Sequence, residues 1–151
     1  MSTIVEENTN AREDLGTIVK HLTEENLSQP LEAGWTVAAV LAHLAFWDYR
    51  ALTLIRKWKQ EGVGPSPIDV DVVNEATRVL CLAIPPRTAA ELVIAQAHSI
   101  DREIEGLGQK LVAEIEAGGK TVRLDRAAHR REHIRQIEQA LDRAAAGKKN
   151  Q

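Results

Sequence analysis

The sequence predicts an all-α protein: four long helices packed as a bundle, with a long crossover carrying a short extra helix between the second and third. Three observations lead there. Strand signals are nearly absent, since aromatic residues are 3% of the chain and no stretch alternates apolar and polar residues for long. The residue types that dominate, Ala, Leu, Glu, Arg and Gln, are helix formers. Four segments repeat apolar residues at helical spacing, separated by Gly and Pro. Each such helix must bury its stripe, and four of them with short links do so against one another. The 151 residues read as a single domain, 1–151.

The first helix is predicted over about Asn10–Leu27, with Leu15, Ile18, Val19 and Leu22 as its stripe. Pro30 and Gly34 end it. Thr36 is placed to cap a second helix reaching Glu61, whose stripe includes Val37, Val40, Leu41, Leu44, Trp47, Ala51, Ile55 and Trp58. The Gly62–Pro67 stretch breaks the chain, and Asp69–Leu82 reads as the short crossover helix. Pro85-Pro86 stops it. Thr88 and Glu91 fit a capping box that opens the third long helix, which continues through Ile104 to Leu111. Gly118-Gly119 reads as a turn. The last long helix is predicted from about Arg123 to Ala146, with Gly147 as its stop.

Composition excludes several function classes. Hydrophobic residues are 44% and charged residues 27%, the mix of an ordinary globule rather than a disordered chain. The net charge is −3, and residues 1–34 hold seven acids against two bases, so nucleic acid is not an expected partner. The Arg56-Lys57-Trp58-Lys59 run ends a helix, where cations suit the macrodipole, and Trp58 belongs to the core stripe. No apolar run approaches the roughly 20 residues of a membrane span, and the first residues lack the pattern of a signal peptide. One cysteine, Cys81, allows no intrachain disulfide and reads as a buried thiol. The expected location is cytoplasmic.

Five histidines carry the chemistry. His129 and His133 stand at i and i+4, which puts both rings on one helix face and suits two ligands of one metal ion. Ile134, Ile137 and Leu141 form an apolar inner face lower on that helix; toward its start the face turns polar through Arg126, His129, Arg130 and His133. Polar groups buried there would need partners, and a metal or a polar pocket would supply them. The alternative is a solvated first turn bearing surface histidines. His43, at the flank of the second helix's stripe, is a third candidate ligand; the alternative for it is a packed, hydrogen-bonded core histidine. Three neutral imidazoles would leave positions open for water or substrate, the pattern of a catalytic site.

Two motifs around these residues resemble a known family. Gly34-Trp35-Thr36-Val37, leading to His43-Leu44 and Trp47-Asp48, is similar to the second-helix motif of the DinB/YfiT-like metalloenzyme superfamily. Asp125 to Ile137, with His129-x-x-x-His133 followed by Gln136-Ile137, resembles its last-helix motif. The resemblance covers nearly the whole chain. It implies a DinB-like four-helix bundle with a divalent metal, zinc or nickel foremost, held by His43, His129 and His133. It further implies a hydrolase or thiol S-transferase acting on a small molecule, with a low-molecular-weight thiol as cosubstrate in the second case. No general base is evident beyond a water on the metal.

Trp47, Arg126 and Arg130 are candidate substrate-pocket residues. The two arginines suit an anionic substrate, because guanidinium binds carboxylates in bidentate fashion. The duller alternative pairs them with Asp125 and Glu132 on a solvated face. Asp48 reads as a surface acid, the alternative being a carboxylate that orients a metal ligand or water; His98 reads as a surface partner of Asp101, the alternative being a pocket role; and His21 reads as solvent-exposed. A non-catalytic ligand-binding or dimerisation module with a vestigial metal site is the competing function. A twofold homodimer is plausible for a bundle of this size, with the acidic first helix and the Trp58 region as its contacts.

Overall fold

The computed structural model describes residues 2–118 and 122–150. It is all-α, with no strand among the described residues beyond one isolated bridge between Pro30 and Thr36. Four helices are long: α1 (Ser2–His21), α3 (Val37–Glu61), α5 (Pro86–Glu105) and α7 (Ala127–Lys149). Three are short: α2 (Glu24–Leu27), α4 (Val70–Ala83) and α6 (Gln109–Ala117). α5 contacts both α1 and α3, and α7 contacts the same two from the other side, which closes a ring. The crossover helix α4 lies on α3.

The second helix and the crossover form as the sequence predicts. The Thr36 hydroxyl accepts from the Ala39 N–H at 3.1 Å, and the Asp69 carboxylate accepts from the Val72 N–H at 3.1 Å. Elsewhere local chemistry shifts the bounds. α1 begins eight residues earlier than expected, because Ile4, Asn8 and Ala11 extend its inner stripe. It stops at His21, where Thr23 and Asn26 make a reciprocal capping box that starts α2. The expected capping box at Thr88 and Glu91 does not form. Pro86, with its φ already set for a helix, opens α5 two residues before Thr88, so both residues lie inside the helix. The third predicted helix divides at Gly106, and Gly108 precedes the separate α6. α7 begins at Ala127 and passes through Gly147 to Lys149. The cost of one interior glycine, about 1 kcal/mol, is outweighed by the good helix formers around it. Gly118 caps α6, whereas Gly119 lies outside the described residues.

Between α2 and α3 the chain makes a tight turn over Glu32–Gly34, with Ala33 at φ 55° and Gly34 at φ 79°. A Cβ on Gly34 would lie 3.0 Å from the Arg78 guanidinium, so both the backbone and the crowding favour glycine. This turn delivers Trp35 to the start of α3.

The core falls into two apolar clusters. One gathers Leu15, Leu41, Leu44, Val93 and Ile137; the other gathers Ile55, Trp58, Ile100, Ile104 and Ile115. Trp58 is 5% exposed, so its indole serves the core. Within α3 an 18-residue window reaches mean hydropathy 1.2, long and apolar enough to cross a bilayer, contrary to the expectation that no run would be. Of that window 72% is buried inside the protein, so its apolar side chains pack the core.

Between the two clusters runs a polar layer. Asn8, Asp48, Asp101 and Arg130, one from each long helix, are all buried. Arg130 donates to Asp101 at 2.8 and 2.9 Å, to Asp48 at 3.2 Å and to the Asn8 carbonyl at 3.0 Å. Arg126 reaches Asp48 at 2.9 Å, and Arg12 reaches Asp101 at 2.7 Å. Asn8 caps α7 from another helix: its Oδ1 accepts from the N–H groups of Arg126 and Ala127 at 2.8 and 3.0 Å. Its Nδ2 donates to the Leu124 carbonyl at 2.9 Å. This supplies the acceptor that Arg126, at the N-cap position, cannot.

Candidate metal centre

The polar layer ends against a group of three histidines. α3 carries His43 seven residues into the helix, and the first turns of α7 carry His129 and His133. One ligand atom from each lies within 4.8 Å of the others, a group that could hold a metal ion. The ring centroids of His43 stand 5.3 Å from His129 and 4.9 Å from His133, and those two stand 4.7 Å apart. All three pairs meet edge to face. The structure thus brings together the three residues that the sequence singled out on two different helices.

Details of the donor set fit a divalent ion. The Nε2 atoms of His129 and His133 are 3.1 Å apart. Two nitrogens each about 2.1 Å from one ion stand roughly 3.0–3.4 Å from each other, so the spacing matches. His133 Nδ1 lies 2.7 Å from Gln136 Oε1, which can only accept. The proton of a neutral His133 therefore sits on Nδ1, and the lone pair is on Nε2, facing His129. His43 Nδ1 is buried with no hydrogen-bond partner among the described residues. An orphaned polar atom of this kind costs about 1–3 kcal/mol.

Burial also keeps the rings neutral. Desolvation, followed by the charge of His133, lowers the pKa of His43 to about 4. His129 falls to about 2, mainly by desolvation, with His133 and Arg126 adding to it. His133 is lowered by desolvation against the opposing pull of Gln136 and Glu132. Neutral imidazoles keep their lone pairs available near neutral pH, which an ion requires.

The histidines line a cleft of about 960 Å³ between α3, α4 and α7. Trp35 and Trp47 form walls, with ring centroids 5.4 and 6.5 Å from His43. The Trp47 Nε1–H donates to Asn74 of α4 at 3.0 Å, which ties the crossover to this wall. Arg50 lies 5.8 Å from the Trp47 ring centroid.

The two candidate arginines separate. Arg126 lines the cleft while its Nε pairs with Asp48. Arg130 is 1% exposed and lies in the polar layer, so it does not face a substrate. Neither pairs with Asp125 or Glu132, because the interior carboxylates of Asp48 and Asp101 hold them. Asp48, expected at the surface, is 2% exposed. Asp101 pairs with Arg130 and Arg12 rather than with His98, which is exposed, as is His21. Cys81 is buried, and burial raises its pKa, as befits an inert thiol.

No protein-family model, curated protein or solved structure matches the chain. The reading of the site accordingly rests on its own geometry.

Proposed function

We propose that the protein is a metal-dependent enzyme on a DinB-like four-helix bundle, with His43, His129 and His133 as ligands of a divalent ion, zinc or nickel foremost. The observation that carries this reading is the convergence of three imidazoles within 4.8 Å on the wall of a cleft. The reaction class is hydrolysis, or transfer of a low-molecular-weight thiol to a small electrophile. An ion held by the three histidines would supply Lewis acidity to a substrate in the cleft.

The chain's own residues do the rest. Gln136 fixes the tautomer of His133. Asn8 holds the first turn of α7, which presents His129. Trp35 and Trp47 shield one side of the site from water and offer flat surfaces to a substrate. Asp48 anchors Arg126 at the cleft wall.

Calorimetric titration of untagged protein with zinc and nickel tests the ligand set. His43→Ala, His129→Ala and His133→Ala should each lose most of the affinity, because two remaining imidazoles hold an ion weakly. His21→Ala and His98→Ala should bind as the wild type does. Chelator should lower the melting temperature of metal-loaded wild type and hardly move that of the triple variant. Wild-type affinity in His43→Ala would refute the proposed site. Metal binding without turnover of any thiol–electrophile pair or ester would favour the non-catalytic module instead.

A further inference from the structure

The charges behind the cleft do not balance. Arg12, Arg126 and Arg130 converge on only two buried carboxylates, Asp48 and Asp101. Asp48 is shared by two guanidiniums, and Asp101 by two. The acids on the rim, Glu32, Asp125 and Glu132, are all exposed, where water and salt screen them. The interior next to the histidines therefore carries excess positive charge in a poorly solvated setting.

Arg126 brings that excess to the cleft surface. Its Nε is committed to Asp48 at 2.9 Å, and its Nη1 reaches the Arg123 carbonyl at a long 3.4 Å. Its Nη2 makes no hydrogen bond to the described residues. The Asp48 bond fixes the guanidinium plane, so this N–H edge is preorganised rather than mobile. Arg126 lines the same cleft as His43, His129 and His133.

We infer that the cleft takes a small carboxylic acid with a flat apolar body, its carboxylate bound by the free edge of Arg126 and its body against Trp35 and Trp47. One guanidinium edge matches the size and geometry of one carboxylate, whereas a phosphoryl group would call for further donors. The two indoles set the shape of the rest. This assignment deepens the metalloenzyme reading and names its substrate class, but the anion site needs only Arg126 and the tryptophans. It can therefore be tested with and without an ion.

The probe is benzoate, compared with the neutral isostere benzamide and the cation benzamidine. Calorimetry and quenching of tryptophan fluorescence would follow binding to ion-free protein and, separately, to zinc-loaded protein. Benzoate should bind more tightly than benzamide by about tenfold or more, the worth of one charge-assisted hydrogen bond, and benzamidine should not bind. Salt should weaken benzoate alone. Arg126→Gln should bring the benzoate-to-benzamide ratio near one in ion-free protein. Arg126→Lys, which keeps the charge, should fall between them; it also guards against a folding defect in Arg126→Gln, with cooperative melting as the check. Failure of zinc to bind would overturn the metal reading while the ion-free titration still decides the anion site. Absence of benzoate binding to either form, or an unchanged ratio in both Arg126 variants, would overturn the carboxylate assignment.

Discussion

Removing the side chain of Asn8 should unfasten the start of α7. Asn8 is 1% exposed and satisfies three backbone groups of another segment: the N–H groups of Arg126 and Ala127 and the carbonyl of Leu124. In Asn8→Ala all three lose their partner. Each unsatisfied buried group costs about 1–3 kcal/mol, and a water entering the vacated space would recover part of it. The net loss should be about 3 kcal/mol, above the usual cost of a lost helix cap because two donors share this one. For a domain of this size that is a fall of roughly 6–12 °C in melting temperature. Urea unfolding of metal-free protein would give the midpoint and slope, and the slope should not change. Zinc affinity should fall with stability, since Ala127, whose N–H is freed, is two residues from His129. Asn8→Asp should be milder, as its carboxylate still accepts both N–H groups and loses only the donor to Leu124. A stability loss under about 1 kcal/mol in Asn8→Ala would refute the reasoning, because three buried backbone groups left without a partner should cost more than that together.

Metal-free protein should lose stability as pH falls below the unfolded histidine value of about 6.5. The unfolded chain takes up a proton that His43, lowered to about 4, resists, so stability is flat above that window and falls within it. The loss from His43 alone should approach about 3 kcal/mol near the bottom of the window, and His43→Leu should remove that part of the slope in denaturant titrations across pH. Arg130→Met should cost about 1–3 kcal/mol in urea unfolding, because Asp48 and Asp101 keep Arg126 and Arg12 but lose the hydrogen bonds from Arg130, as does the buried Asn8 carbonyl. A near-neutral result would mean that the remaining arginines Arg12 and Arg126 suffice.

The helices were legible because each buries a stripe at helical spacing, and the three histidines because two share one face and the third flanks another. The polar layer was harder to read, although it left a trace. Asp48 continues the series Leu41, Leu44, Ala51 and Ile55 at alternating steps of three and four. Asn8 stands likewise between Ile4 and Ala11, Asp101 between Ala97 and Ile104, and Arg130 between Ala127 and Ile134. Each reads alone as a break in an apolar stripe, and only packing shows that the four breaks lie at one level. Helix ends were missed where the deciding partner is remote. Nothing local to Arg126 announces that Asn8, more than a hundred residues away, caps the last helix.

The polar layer bears on the site through position more than through stability. A buried ion network gains little over apolar residues of the same volume, since desolvation offsets most of the attraction. What it adds is register. Asp48 lies five residues after His43 on α3 and grips both Arg126 and Arg130 of α7. Those two arginines bracket His129 in the sequence, and Arg130 is three residues before His133. A slide of α7 by one turn, about 5.4 Å, would break both ion pairs and separate the ligand atoms that now lie within 4.8 Å. An apolar layer would tolerate such a slide far better, because apolar contacts are not directional. The same carboxylate also holds Arg126 at the cleft wall, so histidine spacing and the proposed anion site depend on one buried residue.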